Sequence, residues 1–529
     1  MGDNSVASPT TSGTTLNSPQ QENAASHALD TPKVIGLYGV PGSGKTILLN
    51  ALKTLLGEEE YLFFDASDEL AKVADELDAA HSKTRKERIS MKENVLHLSS
   101  QKENADRQKA FESIADQCKK SGKIGVVTGR LSTYFQESNE YVDIWTKDNK
   151  NLFTHILYLN IDPGMLVKRR EGDKERKRAL LSRDEVADWQ SWEKARLREK
   201  CFMSHTLCTV VHYTVEDEQK ADRETRPSLR KEPDKDLAND LRRTARINIF
   251  ARKVQKWMGH IRALTEEYNH SRLAPKIDPI IEKIDYNIQY VVVFDADKTI
   301  GPEDTGMLLW KAGVDAAPNK FDKAALTPMF KNEVTDGFWT FLQATFLNEE
   351  ANQHGDGLFE NLCTEAARRT GLYPEMLSLL QTLAEQKHIK LIIVTSAVRR
   401  IWELVLDREK LTSSIELIGG GLFKDEIVIT PEIKADLVSR IKQRQKDVLV
   451  FGDSAADFEM MKKADDGILV VGDGKARSKN INKKLKIAIE KGLQIRQALL
   501  PPDAHLAAMG RSKSSSAKST SPVNASSNL

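Results

Sequence analysis

A chain of 529 residues with 40% hydrophobic side chains is too long for one ordinary domain and predicts two domains joined by linkers. Its 78 basic and 77 acidic side chains leave a formal net charge of +1, so no overall field marks a protein that binds nucleic acid or a membrane surface. The four cysteines are far apart and show no C-x-x-C spacing, which speaks against a disulfide framework and a zinc site.

No apolar run approaches the roughly 20 residues of a membrane span. Residues 1–32 lack the Lys or Arg of a targeting peptide, so we expect a cytoplasmic protein.

Both ends of the chain are expected to be disordered tails. Residues 1–32 are rich in Ser, Thr, Asn, Gln and Pro, and residues 501–529 are rich in Ser, so neither can bury enough apolar surface to offset the entropy of ordering it. Between the tails, two α/β blocks are predicted at 33–213 and 286–500. Residues 214–285 carry dense mixed charge and then apolar positions three and four apart, which predicts a charged linker followed by an amphipathic helix.

Both blocks alternate short apolar strands with helical stretches, which is typical of a doubly wound parallel sheet with crossover helices. The strands predicted for the first block are Lys33–Tyr38, Tyr61–Asp65, Ile124–Thr128, His155–Asn160 and Leu207–His212. Those predicted for the second block are Tyr290–Asp295, Lys390–Thr395, Glu416–Ile418, Asp447–Gly452 and Gly467–Val471. Between the first two strands of the second block, about 303–386, Leu, Phe and Ala recur at helical spacing and predict a helical insert.

The stretch GVPGSGKT (Gly39–Thr46) follows the first strand, precedes a helical segment and fits the pattern G-x-x-x-x-G-K-[ST]. Glycines allow backbone N–H groups to wrap a polyphosphate, and the helix N-terminus adds positive potential. The lysine can reach the outer phosphates, and the threonine hydroxyl can hold Mg²⁺. The pattern therefore predicts that ATP binds here, with the nucleotide-binding residues Gly39, Gly42, Ser43, Gly44, Lys45 and Thr46.

Through this loop the first block resembles the small P-loop kinases of the adenylate, gluconate and polynucleotide kinase type. The resemblance implies that Asp65, with Asp68 beside it after the second strand, orients or deprotonates an acceptor hydroxyl. Thr128 and Arg130 then form a substrate edge after the third strand. The fourth strand, LYLN, ends without a Walker B acid. Arginines after this strand suit a lid that neutralises charge on the transferring phosphoryl group, although each alone also fits a solvated helix. The lid candidates are Arg169, Arg170, Arg176, Arg178 and Arg183.

The second block opens with YVVVFDADKT (Tyr290–Thr299), a strand that runs into two carboxylates. The stretch fits h-h-h-h-D-x-D-x-T, and three further patterns follow in order: LIIVTSA, TPEIKADLV and VLVFGDSAADFEMM. In this order the four stretches resemble the motifs of the haloacid dehalogenase superfamily of phosphatases. They supply Asp295 and Asp297, then Thr395 and Ser396, then Lys434, and finally Asp453 and Asp457.

The resemblance implies a phosphatase that works through an aspartyl-phosphate. Asp295 is then the nucleophile, a carboxylate that attacks the phosphorus. Asp297 is the acid that protonates the leaving oxygen and later activates water. Thr395 or Ser396, together with Lys434, is implied to bind the phosphoryl oxygens.

A magnesium site is implied at the same place. Its ligands are the carboxylates of Asp295 and Asp453, with Asp457 as a further candidate, and the backbone carbonyl of Asp297. Oxygen ligands of this kind suit Mg²⁺. The motifs also end their strands at the edge where α/β sheets place ligands.

The insert at 303–386 lies between the first and second motifs, as the helical cap does in the phosphoserine phosphatase branch. Such caps close over small phosphorylated metabolites and exclude larger ones, so a small phosphorylated metabolite is the expected substrate. That branch has a Glu nine residues after the nucleophile, where this chain has Asp304. The chemistry of a phosphatase is therefore expected here, without phosphoserine as the assigned substrate.

The order of the two blocks resembles a fungal family in which a P-loop kinase-like domain and a phosphatase domain occur together. Members of that family often carry a third, uracil phosphoribosyltransferase-like domain, which this sequence is expected to lack. Two other interpretations stay open. One is a polynucleotide 5′-kinase/3′-phosphatase of nucleic-acid repair, against which the neutral charge and the lack of an aromatic and basic groove pattern speak. The other is a nucleotide-sensing regulatory protein; the sequence indicates no particular protein partner.

Overall fold

The computed structural model of the chain shows two parallel β-sheets flanked by helices, and the α/β fold class predicted from the sequence is confirmed. None of the helices it describes is both long and apolar enough to cross a membrane. The predicted tail at 1–32 lies outside the described residues, as does 503–529 of the other tail. The described residues are 33–79, 101–135, 138, 140–173, 180–229, 235–284, 286–317, 321, 337–353, 357–444, 446–473, 481–490, 492 and 495–502.

The first sheet contains the five strands predicted before residue 214, with bounds that agree to within one residue. The strands described in this part of the chain are β1 (Val34–Tyr38), β2 (Tyr61–Asp65), β3 (Ile124–Thr128), β4 (Ser132–Phe135), β5 (Glu140–Asp143), β6 (His155–Ile161) and β7 (Leu207–Tyr213). β4 and β5 form an antiparallel hairpin that the sequence did not predict, and the others form a parallel sheet in the order β2-β3-β1-β6-β7. This order places β1 at the centre of the sheet, with the end of β3 beside it.

Local sequence signals explain where the helices of this half begin. A capping box starts one of them, because Ser182 accepts from the backbone N–H of Glu185 and the Glu185 carboxylate accepts from Ser182. Another has Asp162 as its N-cap and Pro163 at its first position. The helices are α1 (Lys45–Leu56), α2 (Ala66–Ala79), α3 (Gln101–Ser121), α4 (Lys147–Leu152), α5 (Pro163–Glu171) and α6 (Arg183–Met203).

Residues 214–285, for which the sequence predicts a charged linker and one amphipathic helix, form three helices. They are α7 (Val215–Leu229), α8 (Lys235–Ala263) and α9 (Glu266–Glu282). Acids of the charged stretch pair with basic residues of α8: Lys253 pairs with Asp217 at 2.6 Å, and Arg246 pairs with Glu218 at 2.7 Å. Because Ala221 is buried as well, this stretch is packed structure rather than a free linker.

The second sheet has six parallel strands in the order β10-β9-β8-β11-β12-β13. Its strands are β8 (Tyr290–Asp295), β9 (Ile389–Val398), β10 (Ile415–Gly420), β11 (Asp447–Gly452), β12 (Asp466–Val471) and β13 (Arg496–Leu499), of which the sequence did not predict β13. β8 pairs with β9 on one side and β11 on the other, so Asp295 lies at the centre of the carboxyl edge. Phe294 anchors this strand by stacking on Phe451, with ring centroids 4.7 Å apart.

The secondary-structure elements described within the predicted insert at 303–386 are all helices, joined by short irregular segments; 318–320, 322–336 and 354–356 lie outside the described residues. Its helices are α10 (Thr305–Ala316), α11 (Phe338–Asn352), α12 (Leu358–Arg369) and α13 (Pro374–Ala384). After the insert come α14 (Arg399–Arg408), α15 (Pro431–Lys442), α16 (Phe458–Lys463) and α17 (Ile481–Glu490).

One helix of the insert, α11, packs against β7, the edge strand of the first sheet. The Gln343 side chain bonds both the backbone N–H and the carbonyl of Cys208, at 2.7 and 2.8 Å. Glu350 accepts from the backbone N–H of Val210 at 2.9 Å. These side chains satisfy edge groups that no neighbouring strand pairs. α11 cannot swing over Asp295 without breaking these buried bonds, so a closing motion stays a prediction for the rest of the insert.

Glu350 also pairs with Arg198 at 2.5 Å, and both side chains are largely buried. Glu350→Ala would leave a buried guanidinium and a backbone N–H without this acceptor, so we expect it to lower the free energy of unfolding by about 3–5 kcal/mol. Chemical denaturation of the full chain measures the change. Glu365→Ala, which removes a more exposed ion-paired acid on α12, is the control, expected within about 1 kcal/mol of wild type. Equal effects of the two variants would contradict the role of Glu350.

Candidate active site

The glycine-rich loop Gly39–Thr46 connects β1 to α1, as the sequence predicts. Gly39, Gly42 and Gly44 have φ of 151°, 101° and 85°, a region that residues with a Cβ rarely adopt. A Cβ at Gly42 would also lie 2.9 Å from Cγ of Arg170. The loop conformation therefore depends on its glycines, and it brings the backbone to the N-terminus of α1, where anions bind favourably.

Two side chains of the loop are held at its mouth. Lys45 Nζ donates to the carbonyl oxygens of Gly39 at 2.5 Å and Val40 at 3.3 Å. Thr46 Oγ1 donates to Oδ2 of Asp65 at 2.7 Å. β3, the strand beside β1, ends in Thr128 and so carries no acid at its last position. Asp65, at the end of β2, places a carboxylate against the threonine that is predicted to hold Mg²⁺.

The lid candidates that the structure describes occupy different surroundings. Arg170 is buried, donates to the carbonyl of Pro41 in the loop at 2.9 Å and lies over the ring of Trp189. Arg169 lies over the ring of Tyr213 and pairs with Glu218. Arg183 is exposed at the first position of α6, and Arg176 and Arg178 lie outside the described residues.

The second cluster is built around Asp295, which is buried at the end of β8. Its Oδ1 accepts from Lys434 Nζ at 2.5 Å, and its Oδ2 accepts from Thr299 Oγ1 at 3.0 Å. Lys434 lies in the first turn of α15, which Thr430 caps, and only 2% of the lysine is exposed. The same Nζ donates to Asp457 Oδ1 at 2.8 Å, so one ammonium group joins the first motif to the last.

Three carboxylates meet at this point. Asp295, Asp453 and Asp457 are all buried, and each offers an oxygen within 4.8 Å of an oxygen of the others. The backbone N–H and hydroxyl of Ser454 fix Asp457 by donating to its Oδ2 at 3.0 and 2.7 Å. Because these oxygens converge and are of the type that Mg²⁺ prefers, the residues fit a divalent cation.

The pKa shifts of these groups also favour a bound cation. Burial, and then the charge of Asp457, raise the pKa of Asp295 to about 6 despite Lys434. Burial and the neighbouring carboxylates of Asp457 and Asp295 raise the pKa of Asp453 well above its usual value. Burial lowers the pKa of Lys434, but its carboxylate partners more than offset this and hold it above the usual value. Lys434 bonds two of the three carboxylates and the charge of Lys298 acts on Asp453, so the negative charge still exceeds the positive, and a metal ion would balance it.

Asp297, two residues after Asp295, is held by three donors. Trp402 Nε1 and Thr305 Oγ1 each donate to its Oδ1 at 2.8 Å, and the backbone N–H of Thr305 donates to its Oδ2 at 2.8 Å. Burial, followed by the charges of Asp304 and Asp295, raises the pKa of Asp297 to about 7. A carboxyl group with such a pKa can donate and accept a proton near neutral pH.

Asp304 occupies the position at which the phosphoserine phosphatase branch has a glutamate. Its carboxylate contacts residues that are close to it in the sequence. Its Oδ1 accepts from the backbone N–H of Met307 at 3.0 Å, which caps α10. Its Oδ2 pairs with Lys298 at 2.7 Å, and Lys298 has a positive φ of 59°. The residue therefore fixes the turn between the first motif and the insert.

The two candidates of the second motif differ in their hydrogen bonding. Thr395 is buried, and its Oγ1 already accepts from the backbone N–H of Ala397 at 3.1 Å. The hydroxyl of Ser396 is buried and has no hydrogen-bond partner among the described residues. A buried hydroxyl without a partner is unfavourable, and within the described part of the chain Thr395 uses its oxygen only as an acceptor towards Ala397, so both hydroxyls have a proton to donate to a phosphoryl oxygen.

Family models match both halves of the chain. Residues 38–187 match the model of an AAA domain, and residues 292–462 match that of haloacid dehalogenase-like hydrolases. The chain joins a P-loop kinase-like domain to a haloacid dehalogenase-like domain. The second match includes the strands and loops that carry Asp295, Asp297, Lys434 and Asp457. No curated protein matches the chain.

Solved structures similar to the dehalogenase-like domain share little sequence with it. A phospho-aspartyl intermediate analogue of phosphoserine phosphatase is 14% identical, covers 39% of this chain and 99% of its own, and has a TM-score of 0.27. A protein of unknown function from Bordetella pertussis Tohama I is 15% identical, with coverages of 39% and 98% and a TM-score of 0.29. A HAD family hydrolase from Salmonella enterica serovar Typhi is 15% identical, with coverages of 42% and 76% and a TM-score of 0.27. The assignment rests on the family models.

Four residues that contact the candidate catalytic groups were not predicted from the sequence. Thr299 belongs to the first motif itself, so the spacing D-x-D-x-T was a sufficient signal for it. Ser454 follows Asp453 directly and could have been proposed as a local partner of Asp457. Thr305 and Trp402 meet Asp297 from two helices, and no pattern in the sequence indicates this contact.

Proposed function

We propose that the dehalogenase-like domain is a magnesium-dependent phosphatase that hydrolyses a small phosphorylated metabolite through an aspartyl-phosphate. The observation that carries the proposal is the buried ion pair of Lys434 with both Asp295 and Asp457, beside Asp453. The lysine orients one oxygen of the nucleophile and keeps it ionised, and Thr299 holds the other. Bound Mg²⁺ would offset the negative charge that the phosphoryl group brings to three carboxylates.

The chain's own groups account for both steps. In the first, an oxygen of Asp295 forms a bond to phosphorus, and the electron pair of the breaking P–O bond goes to the leaving oxygen, which takes a proton from Asp297. In the second, Asp297 takes a proton from water, whose oxygen attacks phosphorus and releases Asp295. Thr395 or Ser396, together with Lys434, would donate to the phosphoryl oxygens, where charge is concentrated in the transition state.

For the kinase-like domain we propose that the loop Gly39–Thr46 binds ATP. The loop geometry, Lys45 at its mouth and the contact of Thr46 with Asp65 support this assignment. Asp65 could serve either as a partner of the metal-binding threonine or as the group that orients an acceptor hydroxyl. Arg170 of α5 would support the loop around the phosphates, since it donates to the carbonyl of Pro41.

Lys45→Ala is expected to weaken binding of ATP with Mg²⁺ by roughly 10- to 100-fold, because a charge-assisted hydrogen bond contributes about 1.5–3 kcal/mol. Calorimetric titration of the full chain measures this. Lys53→Ala, which removes an exposed lysine of the same helix, should bind like wild type. Phosphatase turnover should be the same in both variants. Unchanged ATP affinity in Lys45→Ala would show that the loop does not hold the phosphates as proposed.

A screen of phosphorylated metabolites, with phosphate release as the readout, tests the proposed function. We expect Mg²⁺-dependent release from one or a few small phosphomonoesters and loss of that release with a chelator. The panel includes an oligonucleotide with a 3′-phosphate. Preferential hydrolysis of this oligonucleotide would show that the substrate is a nucleic-acid end and not a small metabolite. Release from no compound above the level of Asp295→Asn protein would refute the proposal.

A further inference from the structure

A hydrogen bond joins Trp402 to Asp297 in the candidate phosphatase site. Trp402 lies on α14, the helix that follows the second-motif strand β9, and none of its surface is exposed. Its indole nitrogen is 2.8 Å from Oδ1 of Asp297. Thr305, the first residue of α10, contacts the same carboxylate through both its backbone N–H and its hydroxyl. Asp297 is therefore held between a core helix and the first helix of the insert.

The hydrogen bonds distinguish the two oxygens of this carboxylate. Each oxygen has two lone pairs that can accept a hydrogen bond. Oδ1 accepts from Trp402 at 2.8 Å and from Thr305 Oγ1 at 2.8 Å, so both of its lone pairs are engaged. Oδ2 accepts from the backbone N–H of Thr305 at 2.8 Å, and the hydroxyl lies farther from it, at 3.1 Å. The hydroxyl has a single proton to donate, and when it is donated to the nearer oxygen, Oδ1, the backbone N–H is the one donor left to Oδ2, which then keeps a lone pair free.

We propose that Trp402 is a positioning residue for the proposed phosphatase reaction, and that it assigns proton transfer to Oδ2 of Asp297 by occupying Oδ1. An indole N–H can only donate, so Trp402 holds Oδ1 as an acceptor throughout the reaction. Rotation of the carboxyl group would break this bond. The tryptophan thereby fixes which oxygen faces the leaving group, and the inference rests on the function proposed above.

In both steps the transferred proton is then carried by one atom, Oδ2 of Asp297. When Asp295 forms its bond to phosphorus and the P–O bond breaks, the proton on Oδ2 moves to the leaving oxygen. When water attacks, its proton returns to Oδ2, and the Asp295 carboxylate is released. Oδ1 keeps its two donors in both steps, so no reorientation is needed between them, and preorganisation of this kind favours rapid proton transfer.

The test compares two phosphate esters that differ in their need for an acid. The p-nitrophenolate of p-nitrophenyl phosphate leaves readily without a proton, whereas an alkyl phosphate such as the best substrate of the metabolite screen, or glycerol phosphate, requires one. Trp402→Phe keeps an aromatic side chain and removes the donor. Thr305→Val removes the other donor to Oδ1 and keeps the backbone N–H, and it carries the test if the Phe variant fails to fold.

Trp257→Phe is the matched control. Trp257 is as fully buried as Trp402 and also donates its indole N–H to a side-chain oxygen, that of Gln353 at 3.0 Å, but it lies on α8 and packs on Phe346 and Phe423. Its replacement removes the same atoms from the protein interior without altering the contacts of Asp297.

The rate to compare is that of the first step, formation of the aspartyl-phosphate in a single turnover, because the second step is the same for both esters. We expect Trp402→Phe and Thr305→Val to lower this rate for the alkyl ester by roughly 10-fold or more and to leave it nearly unchanged for p-nitrophenyl phosphate, since acid catalysis contributes about 10²- to 10⁴-fold. Trp257→Phe should change the rates on the two esters by the same factor. Equal losses on both esters in Trp402→Phe and Thr305→Val, or faster turnover of the alkyl ester, would overturn the positioning role. A wild-type protein no faster than Asp295→Asn on either ester would refute the proposed function instead.

Discussion

Asp295→Asn is expected to reduce phosphatase turnover by roughly 10⁴-fold or more, the scale on which enzymes lose rate when a covalent nucleophile is removed. The amide cannot form the aspartyl-phosphate, and it also loses the charge that pairs with Lys434 at 2.5 Å. Phosphate release over time measures the effect. ATP affinity should stay at the wild-type value, because the glycine-rich loop follows β1 of the first sheet whereas Asp295 ends β8 of the second.

Asp278→Asn is the control for this change, because Asp278 is a half-exposed acid whose pairing with Arg440 is far less buried. It should retain full turnover. Full turnover in Asp295→Asn would exclude the covalent mechanism, and loss of ATP binding in a folded Asp295→Asn protein would contradict the assignment of the two reactions to separate sheets.

Lys434→Met is expected to lower the free energy of unfolding by about 3–5 kcal/mol in buffer with a chelator, as breaking a buried ion pair usually does. The substitution keeps much of the side-chain volume but leaves Asp295 and Asp457 without their shared cation. Their mutual repulsion, together with that of Asp453, would then lack its nearest positive charge in a site removed from water. Chemical denaturation followed by tryptophan fluorescence measures the loss.

Lys442→Met provides the comparison on the same helix. Lys442 pairs with Asp465 near the surface, where both side chains are about a third or more exposed, so its replacement should change the free energy of unfolding by less than about 1 kcal/mol. A Lys434→Met protein as stable as Lys442→Met would show that the carboxylate cluster does not depend on the lysine.

The parts of the site that lie within one motif could be predicted from the sequence. Asp295 follows a run of apolar residues, and a strand with buried faces ends where the polar residues begin. The glycine-rich loop is equally local, because its pattern specifies the turn, the lysine and the helix start together. Lys434 could be predicted as a member of the site through the resemblance of TPEIKADLV to a motif, and the cap at Thr430 predicts that it lies at the start of a helix.

The parts that depend on how elements are oriented could not be predicted. Arg169 and Arg170 are neighbours in the sequence, yet successive residues of a helix point about 100° apart; one contacts Tyr213, and the other contacts the loop. Sequence alone does not state which face of α5 meets the loop. Trp402 is separated from Asp297 by 105 positions, so only the packing of α14 on the sheet brings them together.

The sequence of α11 indicates that this helix makes a buried polar contact but does not indicate with which partner. Gln343 and Glu350 are seven residues apart, which places both on one face of a helix that is otherwise rich in apolar residues. Two polar side chains on a buried face require partners, so a polar contact could have been inferred. That the partners are Cys208 and Val210 of an edge strand in the other half follows only from the three-dimensional arrangement.

The most direct test of the covalent mechanism is to trap the phosphorylated protein. The full chain is mixed with a labelled phosphomonoester from the screen and Mg²⁺, quenched in acid within one turnover, and digested for mass spectrometry. The account predicts that one phosphoryl group is attached to the carboxylate of Asp295, and that Asp295→Asn protein carries none. Turnover of the ester with no label on Asp295, or with label on another residue, would contradict it.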